Sequence, residues 1–505
     1  MSRPPELLEG RRFAVAAGHP AAAQAAASIA ERGGSLADSA IAASAVLCVV
    51  LPHATSLGGD FLALIRAEDG SIEGLDAAGV APAAVDRVKF DAIPKKGPRA
   101  SVVPGIVRGW AMLHARQGRL DWASLFEPAI RLASDGLPLS ASVHEFIVEE
   151  RAALGADAGC RERFLPAGEP LAAGSLLVQT ALARTLAAVA SGGEAAFYDG
   201  DIGRALCGYI GANGGLLTQD DLRSYVARPV VPIEGTYRGA RCTVMPPSSY
   251  GLLLLLQLAG LESAQGDAIA RDATLRFGLQ RRVMRAAFAA GRPLLADGLD
   301  AAARRQLAGL REQVRIESGR SDESVPRESQ GGTACVALAD AQGNAITLVQ
   351  SVFNPFGAAV LDPATGILMN NRLSGFDLEP MSANHVRAGR RPAHTLCPVM
   401  LSDADGRLVA FASPGGISQT VTGTQFVCNL VDRGMDLAAA IGEPRWSLSR
   451  SREVLVEPDF APGTDGARTV HDPYAFGSIK AVSRSPDGSL KAAADTRRSA
   501  AALAL

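Results

Sequence analysis

The sequence predicts a mixed fold in which α-helices and β-strands share one body. Three observations carry this expectation. Residues 20–51 and 252–315 are rich in alanine and leucine and run at helical spacing or apolar throughout. Residues 335–352 and 399–412 each hold two apolar runs around a polar turn, as β-hairpins do. The 505-residue chain is 48% hydrophobic and 20% charged, a globular balance that gives disorder no compositional support.

Taken in order, residues 20–32 form an alanine-rich helix stopped by Gly33-Gly34. Residues 37–51 follow as a helix apolar on every side, hence buried all round, and Pro52-His53-Ala54-Thr55 turns the chain away. Gly58 to Arg66 reads as a short buried strand, and residues 107–117 and 122–135 alternate at helical spacing. The stretch 252–315 is mostly helical. Its most apolar part, Leu252–Leu261, falls short of the ~20 residues that span a bilayer.

Residues 317–332 read ESGRSDESVPRESQGG, the composition of a flexible loop. The pattern then becomes β: Cys335 to Leu338, the turn DAQGN, and Ala345 to Val352. A second hairpin pairs Val399–Leu401 with Leu408–Ala412 around DADG and runs into Ser413-Pro414-Gly415-Gly416, with a helix expected over 419–433.

A net charge of −2 gives no bulk attraction to nucleic acid or to an anionic membrane. The opening residues MSRPPELLEGRRFAV lack the apolar core of a secretory signal. Seven cysteines, odd in number and without a C-x-x-C pair, fit reduced thiols in a cytoplasm. There is no G-x-S-x-G, Walker loop, H-E-x-x-H or G-x-G-x-x-G after a strand, and the seven histidines show no metal-ligand spacing. Neither cofactor nor metal is expected.

One mechanism needs only a nucleophile and its own backbone amine. If the chain is cut between Gly332 and Thr333, Thr333 carries a hydroxyl and a free α-amine on one residue. Such an amine titrates near ~7.7–8.0, so it can accept the hydroxyl proton at working pH. The same hydroxyl can make the cut by attacking the Gly332 carbonyl, and the two glycines supply permissive backbone at the scissile bond.

Motifs along nearly the whole chain resemble the γ-glutamyltransferase family of N-terminal-nucleophile hydrolases. They are AAGHPAAAQAAASIAERGGSLADSAIAASAVLCVVLPHATSLGGDF near the start, VVPGIVRGWAMLHARQGRLDWASLFEPAIRLASDGLPLS, Pro246-Pro247-Ser248-Ser249, GGTACVALADAQGNAITLVQSVFNPFG, GILMNNRLSGF, RRPAHTLCP, SPGG and AAADTRRSAAA, in the family's order. The resemblance implies a four-layer αββα sandwich. It also implies a large subunit, 1–332, and a small one, 333–505, that stay associated after self-cleavage, alone or as a dimer of such pairs. The substrate is a small-molecule amide, and no membrane or nucleic acid is involved.

The resemblance also carries roles. Thr333 falls on the processing threonine, and Ser351 on a second hydroxyl on the next strand. Gly415 and Gly416 match a loop whose amides form the oxyanion hole, which agrees with the close backbone approach that glycine allows. His394 and Thr395 fall on substrate-facing hydroxyls, of which Thr395 keeps the hydroxyl. Asn371 and Arg372 follow in the Asn-Asn segment, and Arg372 can pair with a substrate carboxylate or form a structural salt bridge. Cys335 is expected to be a packed strand residue.

Departures bear on the substrate. Ala78 stands where the family's arginine holds an α-carboxylate. Gly375 stands where an aspartate holds an α-amine, with Asp377 two residues on. Phe353 replaces a frequent asparagine, with Asn354 beside it, and Ala334 a frequent second threonine. Losing both ion-pair anchors argues against glutathione. The stretch between Phe376 and Arg391 is too short for the usual lid, which favours water over amine acceptors. Relatives without a lid hydrolyse oxamate or glutaryl- and cephalosporin-type amides. Two other readings stand beside this one: an unprocessed, non-catalytic binding or scaffold protein, and an acylase using Ser249 or Cys397.

Overall fold

Two seven-stranded antiparallel sheets lie face to face in the computed structural model, which describes residues 4–262, 264, 266–317, 332–449, 453–460 and 466–505. In the first sheet the order is Ala501–Ala504, Phe13–Ala17, Gly332–Asp340, Ala345–Phe353, Asp60–Arg66, Ile72–Ala77 and Arg228–Val230. In the second it is Leu8–Gly10, Leu490–Ala494, Lys480–Arg484, Leu408–Ala412, Val399–Ser402, Ala240–Val244 and Ile233–Tyr237.

Side chains alternate across each strand and so divide the core into layers. Val336, Leu338, Leu348, Phe61 and Ala63 face outward onto helices Pro20–Glu31, Leu36–Val50 and Ile106–Gln117. Their neighbours Cys335, Ala337, Val349, Leu62 and Leu64 face inward and meet Met400, Ala410, Ala412 and Val482 of the second sheet. That sheet's outer face packs on helices Gly251–Glu262, Ala273–Gly291 and Ser418–Val431. The result is the predicted αββα sandwich. Half of the buried apolar residues between the sheets are alanine, which lets the sheets approach closely.

Helix Leu36–Val50 is the backing of the first sheet, buried along its whole length as its composition demanded. Ser35 and Asp38 close a capping box at its start. From its middle Ser44 hydrogen-bonds Gln350, whose Nε2 also reaches Thr55 Oγ1 at 2.9 Å. This buried polar network fixes strand Ala345–Phe353 against the helix, next to Ser351.

The predicted helices and hairpins are present, with informative differences. Residues 122–135 split into a 3₁₀ turn, Trp122–Phe126, and an α-helix, Glu127–Asp135. Pro128 lacks the N–H an α-helix needs in its interior, so the α-helix starts there. The first hairpin is longer than its sequence signal, pairing Gly332–Asp340 with Ala345–Phe353. The loop expected over 317–332 lies outside the described residues except at its two ends. All seven cysteines are free, with Cys335 fully buried. No helix among the described residues is long and apolar enough to cross a membrane.

Candidate active site

Thr333 is the second residue of its strand, at the end of the layer between the sheets. A β-bulge between Gly332 and Ala334 shifts the register there. The Thr333 hydroxyl donates to Ser351 Oγ at 3.3 Å, and Ser351 Oγ donates to the Gly332 carbonyl oxygen at 2.6 Å. The Phe353 amide donates to Ser351 Oγ at 2.8 Å and fixes its rotamer. A line of hydroxyls therefore runs from Thr333 through Ser351 to the carbonyl of the preceding peptide. Gly332 is required sterically, because a Cβ there would stand 2.5 Å from the His53 carbonyl oxygen.

Gly415 and Gly416 turn the chain from strand Leu408–Ala412 into helix Ser418–Val431, at φ of 122° and 56°. Only glycine holds such angles cheaply, so the residue types follow from the turn. Their amides lie at the head of a 14-residue helix, whose N-terminal end favours an anion. Ser413 Oγ accepts from the Ser478 amide at 2.9 Å and ties this loop to the segment before strand Lys480–Arg484.

Arg372 sits in a 3₁₀ turn, Arg372–Gly375, and is fully buried. Its Nε donates to Asp60 Oδ2 at 2.7 Å, and its guanidinium lies 4.2 Å from the centre of the Phe353 ring. Nη1 and Nη2 have no hydrogen-bond partner among the described residues. The salt bridge foreseen for this residue exists, and it leaves the other edge of the buried guanidinium unpaired. Asp60 belongs to the site although the sequence reading passed over it. Its Cα pairs with that of Ser351, and its other oxygen accepts from the Gly79 amide at 2.8 Å. An aspartate opening the buried strand DFLALIR was the available signal.

His394 is buried, its Nδ1 is unpartnered, and burial with nearby Arg372 pushes its pKa down to about 3, so it stays neutral. Its backbone bonds to Ser248 and Tyr250, which pins the segment holding Thr395, also buried. The Asn371 side chain is engaged structurally, donating to the Lys95 carbonyl at 2.7 Å and accepting from the Asn354 amide at 3.0 Å. Of these residues, His394 lies near Arg372 and Asn371 precedes it in the chain.

The lost glutamyl anchors are filled by other structure. A Cβ at Gly375 would lie 2.8 Å from the Ala393 carbonyl oxygen, so an aspartate does not fit without movement. Asp377 accepts from Ser382 Oγ at 2.7 Å and closes a short loop in place of a lid. Asp76, two residues before Ala78, takes Arg228 and Arg391. Burial works to raise its pKa, but those two arginines hold it below the usual carboxylate range.

The other proposed nucleophiles are unsuited. Ser249 Oγ donates to the Leu396 carbonyl at 2.6 Å, and burial pushes the Cys397 thiol up to about 12. Among the described residues no group of His, Cys, Asp and Glu is arranged to hold a metal.

Comparison with known proteins finds relatives along most of the chain. The family model for gamma-glutamyltranspeptidase matches residues 22–505. The acylase ACY 1 proenzyme of Pseudomonas sp. (strain V22) is 32% identical, covering 96% of this chain and 92% of its own. The oxamate amidohydrolase proenzyme of Klebsiella pneumoniae is 32% identical over 96% of this chain and 97% of its own. The crystal structure of cephalosporin acylase from Bacillus halodurans superposes with a TM-score of 0.89 at 27% identity, covering 99% of this chain and 97% of that one.

Proposed function

The chain belongs to the gamma-glutamyltranspeptidase family of N-terminal-nucleophile hydrolases, and on that premise we propose that it cuts itself before Thr333 and then hydrolyses amides of anionic acids through that residue. The observation that carries the reading is the hydroxyl line from Thr333 through Ser351 to the Gly332 carbonyl.

In the first step Thr333 Oγ1 attacks the Gly332 carbonyl carbon. Its proton moves toward Ser351, while Ser351 polarises the carbonyl oxygen. That proton is passed on to the departing nitrogen as the C–N bond breaks, leaving an ester on Oγ1 and a free α-amine. Water cleaves the ester, releasing the Gly332 carboxylate and the Thr333 hydroxyl. Subunits 1–332 and 333–505 stay together, since strand Gly332–Asp340 lies between Phe13–Ala17 and Ala345–Phe353 in one sheet.

In turnover the α-amine takes the hydroxyl proton, Oγ1 attacks the substrate amide, and the amides of Gly415 and Gly416 hold the oxyanion. The amine passes the proton to the leaving group, and water frees the acid from the acyl-enzyme. The open Nη1 and Nη2 of Arg372 receive the acyl group's second carboxylate. The packed Gly375 and the engaged Asp377 offer no seat for an α-amine. Oxamate- and glutaryl-type amides therefore suit the site better than glutathione. Relatives named acylase and oxamate amidohydrolase support this reading over a scaffold role. The unpaired cysteines support a reducing, cytoplasmic setting.

Purified protein assayed with γ-glutamyl anilide, oxamate, a glutaryl amide and glutathione tests the reading. Hydrolysis of oxamate or the glutaryl amide above glutathione is expected. A clear preference for glutathione contradicts the substrate assignment.

A further inference from the structure

We propose that Lys480 is a positioning residue of the Thr333 site. Its buried ammonium braces the loop carrying Gly415 and Gly416, and it holds the freed Thr333 α-amine in its neutral, proton-accepting form. The proposal rests on the reading of Thr333 as an N-terminal nucleophile.

Lys480 opens its strand and is 2% exposed. Its cross-strand neighbours Ala412 and Ala494, and Val482 two residues on, all face the layer between the sheets, so Lys480 points there too. Across that layer strand Lys480–Arg484 packs against strand Gly332–Asp340, which carries Thr333 and, two residues on, the inward-facing Cys335. Nζ donates to the Ser478 carbonyl at 2.9 Å and to Ser478 Oγ at 2.7 Å.

Ser478 transmits this hold. Its amide donates to Ser413 Oγ, and Ser413 immediately precedes Pro414-Gly415-Gly416. Gly477 lies against Gly415, where a Cβ would stand 3.3 Å from Gly477 Cα. Two other cations, the part-buried Arg498 and the buried Arg445, grip the same segment. Arg498 donates to the Phe476 carbonyl at 2.7 Å, and Arg445 to the Gly477 carbonyl at 2.6 Å. The carboxylate nearby, Asp495, pairs with Arg445 and Arg497. Lys480 and Arg498 donate to carbonyl and hydroxyl oxygens rather than to carboxylates.

At this end of the layer Asp495 and Glu457 balance Arg445 and Arg497, and Arg498 lies near Asp472, so among the described residues Lys480 is left without a carboxylate of its own. The titratable and charged groups facing Lys480 are Cys335 from the nucleophile strand, Arg498 and Asp495 from the closing segment, and Arg445 from before strand Trp446–Leu448. Burial raises the Cys335 thiol, so it is neutral. His53, whose carbonyl abuts Gly332, is neutral as well, since burial and Arg498 push it down to about 3. A cation close to an amine disfavours that amine's protonated form. Burial lowers the Lys480 ammonium to about 8, which leaves it charged at neutral pH, where the Thr333 amine has to be free.

The test is the pH dependence of kcat/KM for the cleaved enzyme and its Lys480→Met variant, which keeps the bulk and removes the charge. The acid limb is expected to move up by about one pH unit, and kcat to fall about tenfold with KM little changed. Ser478→Ala, which keeps the charge, is expected to lower kcat without moving the acid limb. An acid limb in Lys480→Met that coincides with the wild type overturns the proposal. If Lys480→Met stays uncleaved while Lys480→Arg cleaves and turns over, the charge requirement stands. Failure of both overturns it, because packing and not charge is then what matters. Thr333→Ala reports separately: turnover surviving there sinks the nucleophile reading whatever Lys480→Met does.

Discussion

Ser351 donates its hydroxyl proton to the Gly332 carbonyl oxygen at 2.6 Å while accepting the proton of Thr333. In the proposed self-cleavage one side chain thus serves both the attacking oxygen and the carbonyl under attack. Ser351→Ala removes the donor and is expected to slow self-cleavage by about 10²–10³-fold, the usual loss for one oxyanion-type hydrogen bond. Ser351→Thr keeps the hydroxyl and is expected to retain most of the rate. A time course of precursor loss after synthesis measures both. Equal rates for Ser351→Ala and wild type would remove Ser351 from the mechanism.

Gly332→Ala is expected to accumulate as uncleaved precursor. The added Cβ would stand 2.5 Å from the His53 carbonyl oxygen, a backbone atom that cannot swing away. The scissile carbonyl then shifts away from Ser351. Normal cleavage of this variant would show that the junction adapts and that the described geometry does not govern the cut.

Much of the fold was legible because its signals are local. The burial of Leu36–Val50 follows from an apolar face on every side. The hairpin carrying Thr333 and Ser351 was announced by the DAQGN turn. Phe13–Ala17 was not, because FAVAA has no polar alternation to mark a strand, and pairing with Gly332–Asp340 is what fixes it. Within the site, Thr333 and Gly415-Gly416 were readable from motifs. Asp60 and Lys480 were not, since Asp60 depends on Arg372, 312 residues away, and Lys480 on the layer between the sheets that its strand neighbours face.

Arg372 and Asp60 form a buried pair whose two members do different work. Arg372→Met is expected to raise KM for an oxamate- or glutaryl-type amide by about 10–100-fold, the worth of one charge-assisted interaction. It is also expected to cost about 3–5 kcal/mol of stability, because Asp60 is left buried and unpaired. Adding Asp60→Asn is expected to restore stability and leave KM high. Steady-state kinetics with denaturant unfolding separates the two effects. Recovery of both together would make Arg372 purely structural.

Asp495 predicts an acid limit to stability. Burial acts to raise its pKa, but Arg445 and Arg497 outweigh that and hold it at about 2. The unfolded value is ~3.9, so its contribution of about 2 kcal/mol is complete above that value and is lost as pH falls toward 2. Denaturant unfolding at pH 6, 4 and 3 is expected to show wild type and Asp495→Asn converging as pH falls. A constant difference between them would place the acid sensitivity elsewhere.

The most direct test of self-cleavage at Thr333 is the intact mass of the purified protein under denaturing conditions, alongside Thr333→Ala. Two polypeptides are expected from the wild type, meeting at Gly332 and Thr333, and a single inactive chain from the variant. An active wild type that remains one unbroken chain would contradict the mechanism, since no free α-amine would then exist on the residue that attacks.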